Sequence, residues 1–535
     1  MKAERITLDA AGLAVAVARL AGIAREMQTV LRRSAFSPNI KERADCSAAL
    51  FTASGELLAQ ADSIPVHLGA MPASVAAVID AFPAAHGLTA DDQVILNDPF
   101  VGGTHTNDIT IVAPVVVGGT LVGWVANRAH HADVGGTAPG SMPADARHID
   151  EEGWRTGPVV LTYEIADKLF AASRTPAERG GDLAAQVGAN RVGVERLAGV
   201  DPSSFDEVLL YGERRARAAI ASLPDGVWHA VDQIDSFGPA PDQQRPTPIA
   251  LSVTVAGDRA SFDFTGSGPQ RSGNVNAVAA VTISAVLFAL RSVLEPTLPA
   301  NGGLARAVDV IIPVGSIVGA LAPAAVGAGN VEVSQRVADV CLAALAGVAP
   351  DRVGAASQGT MNNVILGGVN WVYYETVGGG QGGRPSALGM SGVHTNMTNT
   401  KSTPIEALER AFPMRVLRQR LRRGSGGAGW SAGGEGIERD LQVLVDATVS
   451  LITERRVSQP WGLAGGEPGA VGENWLLPGG VESRAERLPD KCTIHLKAGD
   501  VLRMLTPGGG GWGTPQMVVS DAQTRGVGEP GTPRP

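Results

Sequence analysis

The stretch NDPFVGGTHTNDITI (Asn97–Ile111) sets His105 three residues before Asp108, in a chain of 535 residues that contains only nine histidines. On a helix that spacing would put both side chains on one face. Gly102-Gly103 and the β-branched run that follows predict instead a tight turn entering a strand, with both side chains free to converge. Eighteen residues of alternating apolar character later comes NRAHHADVGG, with His130, His131 and Asp133. A hairpin running from Ile109 to about Ala126 would bring its two ends together. Two imidazoles and a carboxylate would then meet beside glycine-rich turns, an arrangement suited to zinc, manganese or iron. Asp133, Glu151 and Glu152 are candidates to orient the imidazoles or shuttle a proton, and the two glutamates of DEEGW read equally as a solvated turn.

Around this centre the chain reads as multidomain α+β, with mixed sheets and helices and Gly-rich loops around a metal site. Asp9 to about Ser34 is predicted helical, with Leu13, Val17, Leu20, Ile23, Met27, Val30 and Leu31 on one face and Asp9 as cap. CSAALFTASGELLAQ reads as two strands turning at Ser54-Gly55, and ASVAAVIDAF as a short helix. Residues from about 165 to 222 read as a helical unit. FGPAPDQQRPTP (Phe237–Pro248) is the best linker candidate. A hairpin turning at Gly257-Asp258, a buried helix and a second helix beginning near Glu332 follow. IEALERAFPMRVLRQRLRRGSGG, with six arginines from Arg410 to Arg423, reads as a helical, solvated or subunit-facing surface. The expected division is an N-terminal metal-binding α+β domain (1–240), a central α+β domain (241–435), a C-terminal β-rich domain (436–520) and a flexible tail (521–535).

Composition narrows the function classes. Hydrophobic content of 44% and charged content of 18% describe a chain able to bury a large core. A dispersed net charge of −9 gives no nucleic-acid surface. The longest apolar run, ITIVAPVVVGGTLVGWVA, is broken by Pro114 and Gly118-Gly119, so it reads as a hairpin and not a membrane span. Three scattered cysteines offer neither a disulfide framework nor metal-ligand spacing. MKAERITLDA lacks the apolar segment of a secretory signal, so a cytoplasmic chain is expected. The 68 glycines exceed the usual share of about 7% and fall in short clusters. No phosphate-binding G-x-x-x-x-G-K-[ST] occurs. GGGQGGR (Gly378–Arg384) could present backbone N–H groups to a phosphate, or be a plain surface loop.

Several ordered motifs carry a resemblance that runs nearly end to end: ERADCSAALFTASGELLAQADSIPVHLGAMPASV, NDPFVGGTHTNDITIVAPV, AHHADVGGTAPGSMP, EEGW, FDFTGSGPQRSGNVNA, NVEVSQRVADV, GVHTNMTNTKSTPIEALE and TPGGGGWG. On these the chain resembles the hydantoinase B family. That family includes the beta subunit of N-methylhydantoinase, the C-terminal half of ATP-dependent 5-oxoprolinase, caprolactamase beta, and acetone and acetophenone carboxylase subunits. The resemblance implies one divalent metal (Zn or Mn, with Fe a further option) held by Asp45, His105, Asp108 and His130, with His131 as the alternative to His130. It also implies a hydantoinase A-type partner subunit that binds ATP and Mg and phosphorylates a lactam or imide oxygen, and hence a hetero-oligomer. This chain would then open the ring of a hydantoin, 5-oxoproline or similar lactam with metal-activated water. His67, Asn97, Asp98, Thr265, Asn274 and Asn276 match motif positions and would line the substrate pocket or, for the Asn residues equally, hold turns together. Two other readings are a subunit of an ATP-dependent ketone carboxylase and a non-catalytic scaffold for the ATP-binding partner. Leu388 and Asn396 depart from the residues common at their positions in the family, which bears on the substrate or on a contact of that loop.

Overall fold

A computed structural model describes residues 8–61 and 64–515. The helices among these residues are α1 (Ala10–Ser34), α2 (Pro38–Lys41), α3 (Ala70–Ala81), α4 (Tyr163–Ala172), α5 (Pro176–Ala198), α6 (Phe205–Ala221), α7 (Ala279–Val293), α8 (Ser334–Val348) and α9 (Ile405–Ala411). Asp9 caps α1 by accepting from Gly12 N at 2.7 Å. Leu20, Ile23, Met27 and Leu31 bury one stripe of that helix, as their spacing predicts. No helix among the described residues is long and apolar enough to cross a membrane.

The first sheet carries the site. Its strands are β1 (Cys46–Thr52), β2 (Leu57–Gln60), β3 (Val94–Leu96), β4 (Asp108–Val117), β5 (Thr120–His130) and β6 (Val159–Val160), in the order β2-β1-β5-β4-β3-β6. β4 and β5 are the expected hairpin. Gly118 and Gly119 turn it with φ of 57° and 81°, the paired positive values that match the twist of the flanking strands. β1 is buried on both faces: Ala48 and Leu50 join the core beneath α1, while Ala49 and Phe51 join the one beneath α3.

The second sheet contains β7 (Gly226–Ile234), β8 (Thr247–Ala256), β9 (Arg259–Asp263) and β10 (Val308–Ile311). The third joins β11 (Asn363–Gly367), β12 (Val372–Thr376), β15 (Ala447–Ile452) and β18 (Lys491–Leu496). The fourth joins β13 (Met414–Arg422), β14 (Gly436–Val443), β16 (Glu473–Leu477), β17 (Glu486–Leu488) and β19 (Val501–Leu505).

Three sequence expectations need correction. β7 pairs with β8 from Gly226↔Val255 to Ile234↔Thr247, so the Pro-rich 237–248 segment connects two neighbouring strands and the edge expected at 240 lies inside a sheet. The edge at 435 also lies inside sheets, because β13 pairs with β14 and β11 with β15. The arginine-rich run is helical only over α9 and then becomes β13, where Arg418, Arg420 and Arg422 alternate in a period of two. They reach Glu438 and Glu473 across the sheet. The tail expected over 521–535 lies outside the described residues.

The glycine clusters of the C-terminal half form backbone-to-backbone packing. Gly434 N donates to Gln381 O, Gly509 N to Gly434 O, Gly427 N to Gly509 O and Gly383 N to Gly510 O, all at 2.8–2.9 Å. A Cβ on Gly509 would stand 2.1 Å from Gln381 O, so the chains lie closer than any side chain permits.

Candidate metal centre

Strand register assembles the centre. Asp108, first residue of β4, is the direct partner of His130, last residue of β5. Cys46 pairs with Ala129 on the other side of β5, which puts Asp45 beside His130, whose N–H donates to Asp45 O at 3.1 Å. Residues opposite one another share a face, so three neighbouring strand ends present their side chains together. His105 arrives from the turn before β4. A Cβ on Gly103 in that turn would meet Asp98 O at 2.6 Å, so only glycine lets the turn fold this tightly.

His105 Nδ1 stands 3.3 Å from Asp108 Oδ2 and His130 Nδ1 3.4 Å from Asp108 Oδ1. Ligand atoms of His105, Asp108 and His130 all lie within 4.8 Å of one another. Thr104 Oγ1 and His67 Nε2 also reach Asp108 Oδ2, at 2.8 and 3.2 Å. Asp45, His67, Asp108 and His130 line a cavity of about 20 Å³, room for one water-sized body, together with Asn330, Met361, Tyr374, Thr376, Thr398 and Thr400. Burial lowers His130 to about 4 and also lowers His67, so both imidazoles are neutral at pH 7. Burial would raise Asp108, but its interactions with His105 and His67, together with its contact to His130, outweigh it and hold the carboxyl well below its ordinary value. Burial, and then the charge of Asp108, push Asp45 up to about 7. The buried His105 Nδ1 and Nε2 and His130 Nε2 have no hydrogen-bond partner among the described residues. Idle imidazole nitrogens beside a carboxylate held in its ionised form are what a divalent cation requires, so the donor set fits one.

The other sequence candidates divide. His131 alternates to the opposite side, where Nε2 meets Gln186 of α5 at 2.8 Å, so it does not join the cluster. His67, expected in the substrate pocket, lines the cavity and touches Asp108 and also Ser47 Oγ, at 2.8 Å from Nδ1. Asp133 is not at the centre: its oxygens accept from the N–H groups of Gly135, Gly140 and Arg174 and from the Arg174 guanidinium, which fixes a loop. Glu151 Oε1 accepts from the Arg147 and His148 N–H groups and caps a turn. Glu152 is fully buried and its Oε1 accepts from Val326 and Gly327 N–H at 3.0 and 2.8 Å.

Asn97 holds the loop through Thr106 O, Trp154 O and Thr156 N, and Asp98 pairs with Arg155 at 2.6 Å. Asn276 bonds Arg271, Gly273 and Ala325, and Asn274 bonds Pro143 O. Thr265 is exposed. None of these five lines the cavity with Asp108. Gly378–Arg384 offers no phosphate cradle either: the N–H groups of Gly379, Gly380, Gln381 and Gly383 are taken by Val393, Pro507, Met390 and Gly510. Of the two family departures, Leu388 is exposed and Asn396 donates to Asp339 Oδ1 at 2.9 Å.

Sequence reasoning passed over Tyr374, whose ring stacks on His130 at 4.5 Å and 19°. Its hydroxyl donates to Asn363 Oδ1 at 3.0 Å, and Asn363 Nδ2 donates to Glu332 Oε1 at 2.8 Å. A π-helical turn, Gly329–Val333, places Asn330 and Val331 on the cavity wall, with Glu332 behind them.

Fold and site together define an α+β protein in which the ends of neighbouring strands of the first sheet gather a His/Asp cluster fit for one cation. The chain belongs to the hydantoinase B/oxoprolinase family, whose sequence pattern matches residues 9–515. It is 39% identical to an uncharacterised protein of Methanocaldococcus jannaschii over 92% of this chain and 88% of that one. It is 37% identical to 5-oxoprolinase 1 of Arabidopsis thaliana over 95% of this chain but only 42% of that protein, so it spans about two-fifths of that relative. The crystal structure of the ATP-dependent caprolactamase from Pseudomonas jessenii is similar at a TM-score of 0.88 and 28% identity, covering 95% of this chain and 92% of that one.

Proposed function

We propose that this chain is the metal-bearing subunit of a two-component, ATP-dependent cyclic amide hydrolase acting on a hydantoin, 5-oxoproline or related lactam. The observation that carries the reading is the meeting of ionised Asp108 with His105 and neutral His130, both with idle ring nitrogens. Asp45, His105, Asp108 and His130 would hold one divalent cation, zinc, manganese or iron. When bound, the cation supplies Lewis acidity that brings the pKa of water toward neutrality. His67 steadies Asp108 as a carboxylate, and Tyr374 closes one side of His130 against solvent. No phosphate-binding loop occurs in the sequence, and amide resonance makes an unactivated lactam a poor electrophile. A separate ATP- and Mg-binding subunit of the hydantoinase A type would therefore phosphorylate the ring oxygen first.

The test is co-purification with such a subunit, metal analysis, and an ATP-coupled screen of hydantoins and lactams. Ring opening with phosphate release, lost in Asp108→Ala, is the expected result. Incorporation of labelled bicarbonate would identify a ketone carboxylase instead. Full turnover by Asp108→Ala would leave the chain a scaffold.

A further inference from the structure

Arg43 lies two residues before Asp45 and is 2% exposed. Its Nη1 has no hydrogen-bond partner among the described residues. The guanidinium faces the rings of Tyr373 and Tyr374, each centred 5.6 Å away. Two carboxylates act on it through space, Glu375 and Asp45. Glu375 is engaged already, by Arg439 at 2.9 Å and by Thr403 N at 3.3 Å. Asp45 belongs to the cation set. A buried guanidinium without an anion of its own is strongly unfavourable, so the site is built for one that arrives from outside.

The segment from His394 to Thr403 runs beside Arg43. Lys401 N donates to Arg43 O at 3.1 Å, tying the segment to the arginine. Both ring nitrogens of His394 and the hydroxyls of Thr395 and Thr403 are buried without partners among the described residues. Burial, and then the charge of Arg43, keep His394 at about 4, so at pH 7 its ring is neutral and offers one N–H. Thr398 and Thr400 line the same cavity as Asp45, Asp108 and His130. A guanidinium nitrogen, an imidazole N–H and the hydroxyls of Thr395 and Thr403 are donors in want of acceptors. A tetrahedral phosphate dianion presents the matching oxygens.

We propose that Arg43, His394 and the threonines of residues 395–403 form an oxyanion subsite beside the cation set, which takes the phosphoryl group carried by the activated substrate. The proposal rests on the reading that the substrate arrives O-phosphorylated. The cavity of about 20 Å³ is too small for a phosphoryl group, so seating one requires the 395–403 segment to shift.

Calorimetric titration of the intact chain with inorganic phosphate, and separately with methyl phosphate, tests it. Saturable binding of both is expected, weakened about tenfold or more in Arg43→Ala and several-fold in His394→Ala and Thr403→Val. Arg43→Lys keeps the charge but loses the planar donor fork, so an intermediate loss is expected, and it serves where Arg43→Ala fails to fold. Methyl phosphate binding through Arg43 supports a group carried on substrate; binding of inorganic phosphate alone overturns that assignment. Affinities unchanged in folded Arg43→Lys and His394→Ala, or no saturable binding of either anion, overturn the subsite. Manganese binding, read separately by electron paramagnetic resonance, reports on the cation set. Protein that takes up no manganese yet binds methyl phosphate through Arg43 would sink the metal reading and leave this one standing.

Discussion

His67 and Asp108, 41 residues apart in the chain, meet at 3.2 Å between Nε2 and Oδ2. With Nε2–H directed at the carboxylate, Nδ1 accepts from the Ser47 hydroxyl at 2.8 Å. His67 is thus a positioning group for Asp108. His67→Ala is expected to weaken metal affinity by about 10–100-fold, the usual cost of removing a group that orients a ligand. Competition with a chelator measures it, and affinity equal to the unmodified chain would refute the role.

The two neighbouring histidines should separate cleanly. His130→Ala is expected to abolish metal uptake. His131→Ala should keep the metal and cost about 1–3 kcal/mol of stability, through loss of its bond to Gln186. Metal content by mass spectrometry and denaturant midpoints read the two effects, and the reverse pattern would put the register reading out of court.

Glu152 predicts a pH dependence of stability. Burial, working against the N–H groups of Gly327 and Val326, raises it from 4.5 to about 8. Between those values the folded chain keeps a proton that the unfolded chain releases. Its contribution is therefore fully present below 4.5 and declines as pH rises to about 8. Glu152→Gln keeps an acceptor oxygen for both N–H groups and removes the proton. Unfolding free energy against pH should lose up to about 1.4 kcal/mol per pH unit of slope in that window. An unchanged slope would mean Glu152 is ionised.

Lys491 is fully buried between Glu454 at 2.5 Å and Asp490 at 2.9 Å, and Glu454 also meets Arg336. Lys491→Met would strand these carboxylates and is expected to cost about 3–5 kcal/mol. Metal content of the folded fraction should not change. A neutral result in chemical denaturation would show the network to be dispensable.

Adding one methyl group in the glycine packing should be severe. Gly509→Ala brings a Cβ to 2.1 Å from Gln381 O and is expected to cost more than about 4 kcal/mol or prevent folding. Gly22→Ala, with nothing within 4 Å and a helical position in α1, should be neutral or stabilising by up to about 1 kcal/mol. Equal thermal midpoints for the two variants would contradict this.

How much of the site the sequence reveals depends on how local its geometry is. The β4–β5 hairpin announces itself through Gly118-Gly119 and flanking β-branched runs, and with it the approach of His105 and Asp108 to His130. Asp45 joins through the pairing of β1 with β5, a long-range register that spacing cannot supply; it came from family resemblance. Arg43 lies more than three hundred residues before Tyr374 and His394 in the chain, and each of the three reads alone as an ordinary core or surface residue. The arginine run reads as helical by composition, but Arg418, Arg420 and Arg422 keep a strand's period of two. Asn97 and Asn276, which match substrate-pocket positions, and Asp133, a candidate for proton handling, bond loop backbone instead of lining the cavity, since short polar side chains satisfy backbone groups readily.

The glycine clusters overturn an ordinary association. Glycine usually marks slack chain, yet here bare backbones from around residues 381, 427, 434 and 509 lie against one another and exchange amide hydrogens for carbonyl oxygens. Their grip owes nothing to side-chain chemistry, so no substitution elsewhere can compensate for one made within it. These amides should be among the slowest in the molecule to exchange with deuterated solvent.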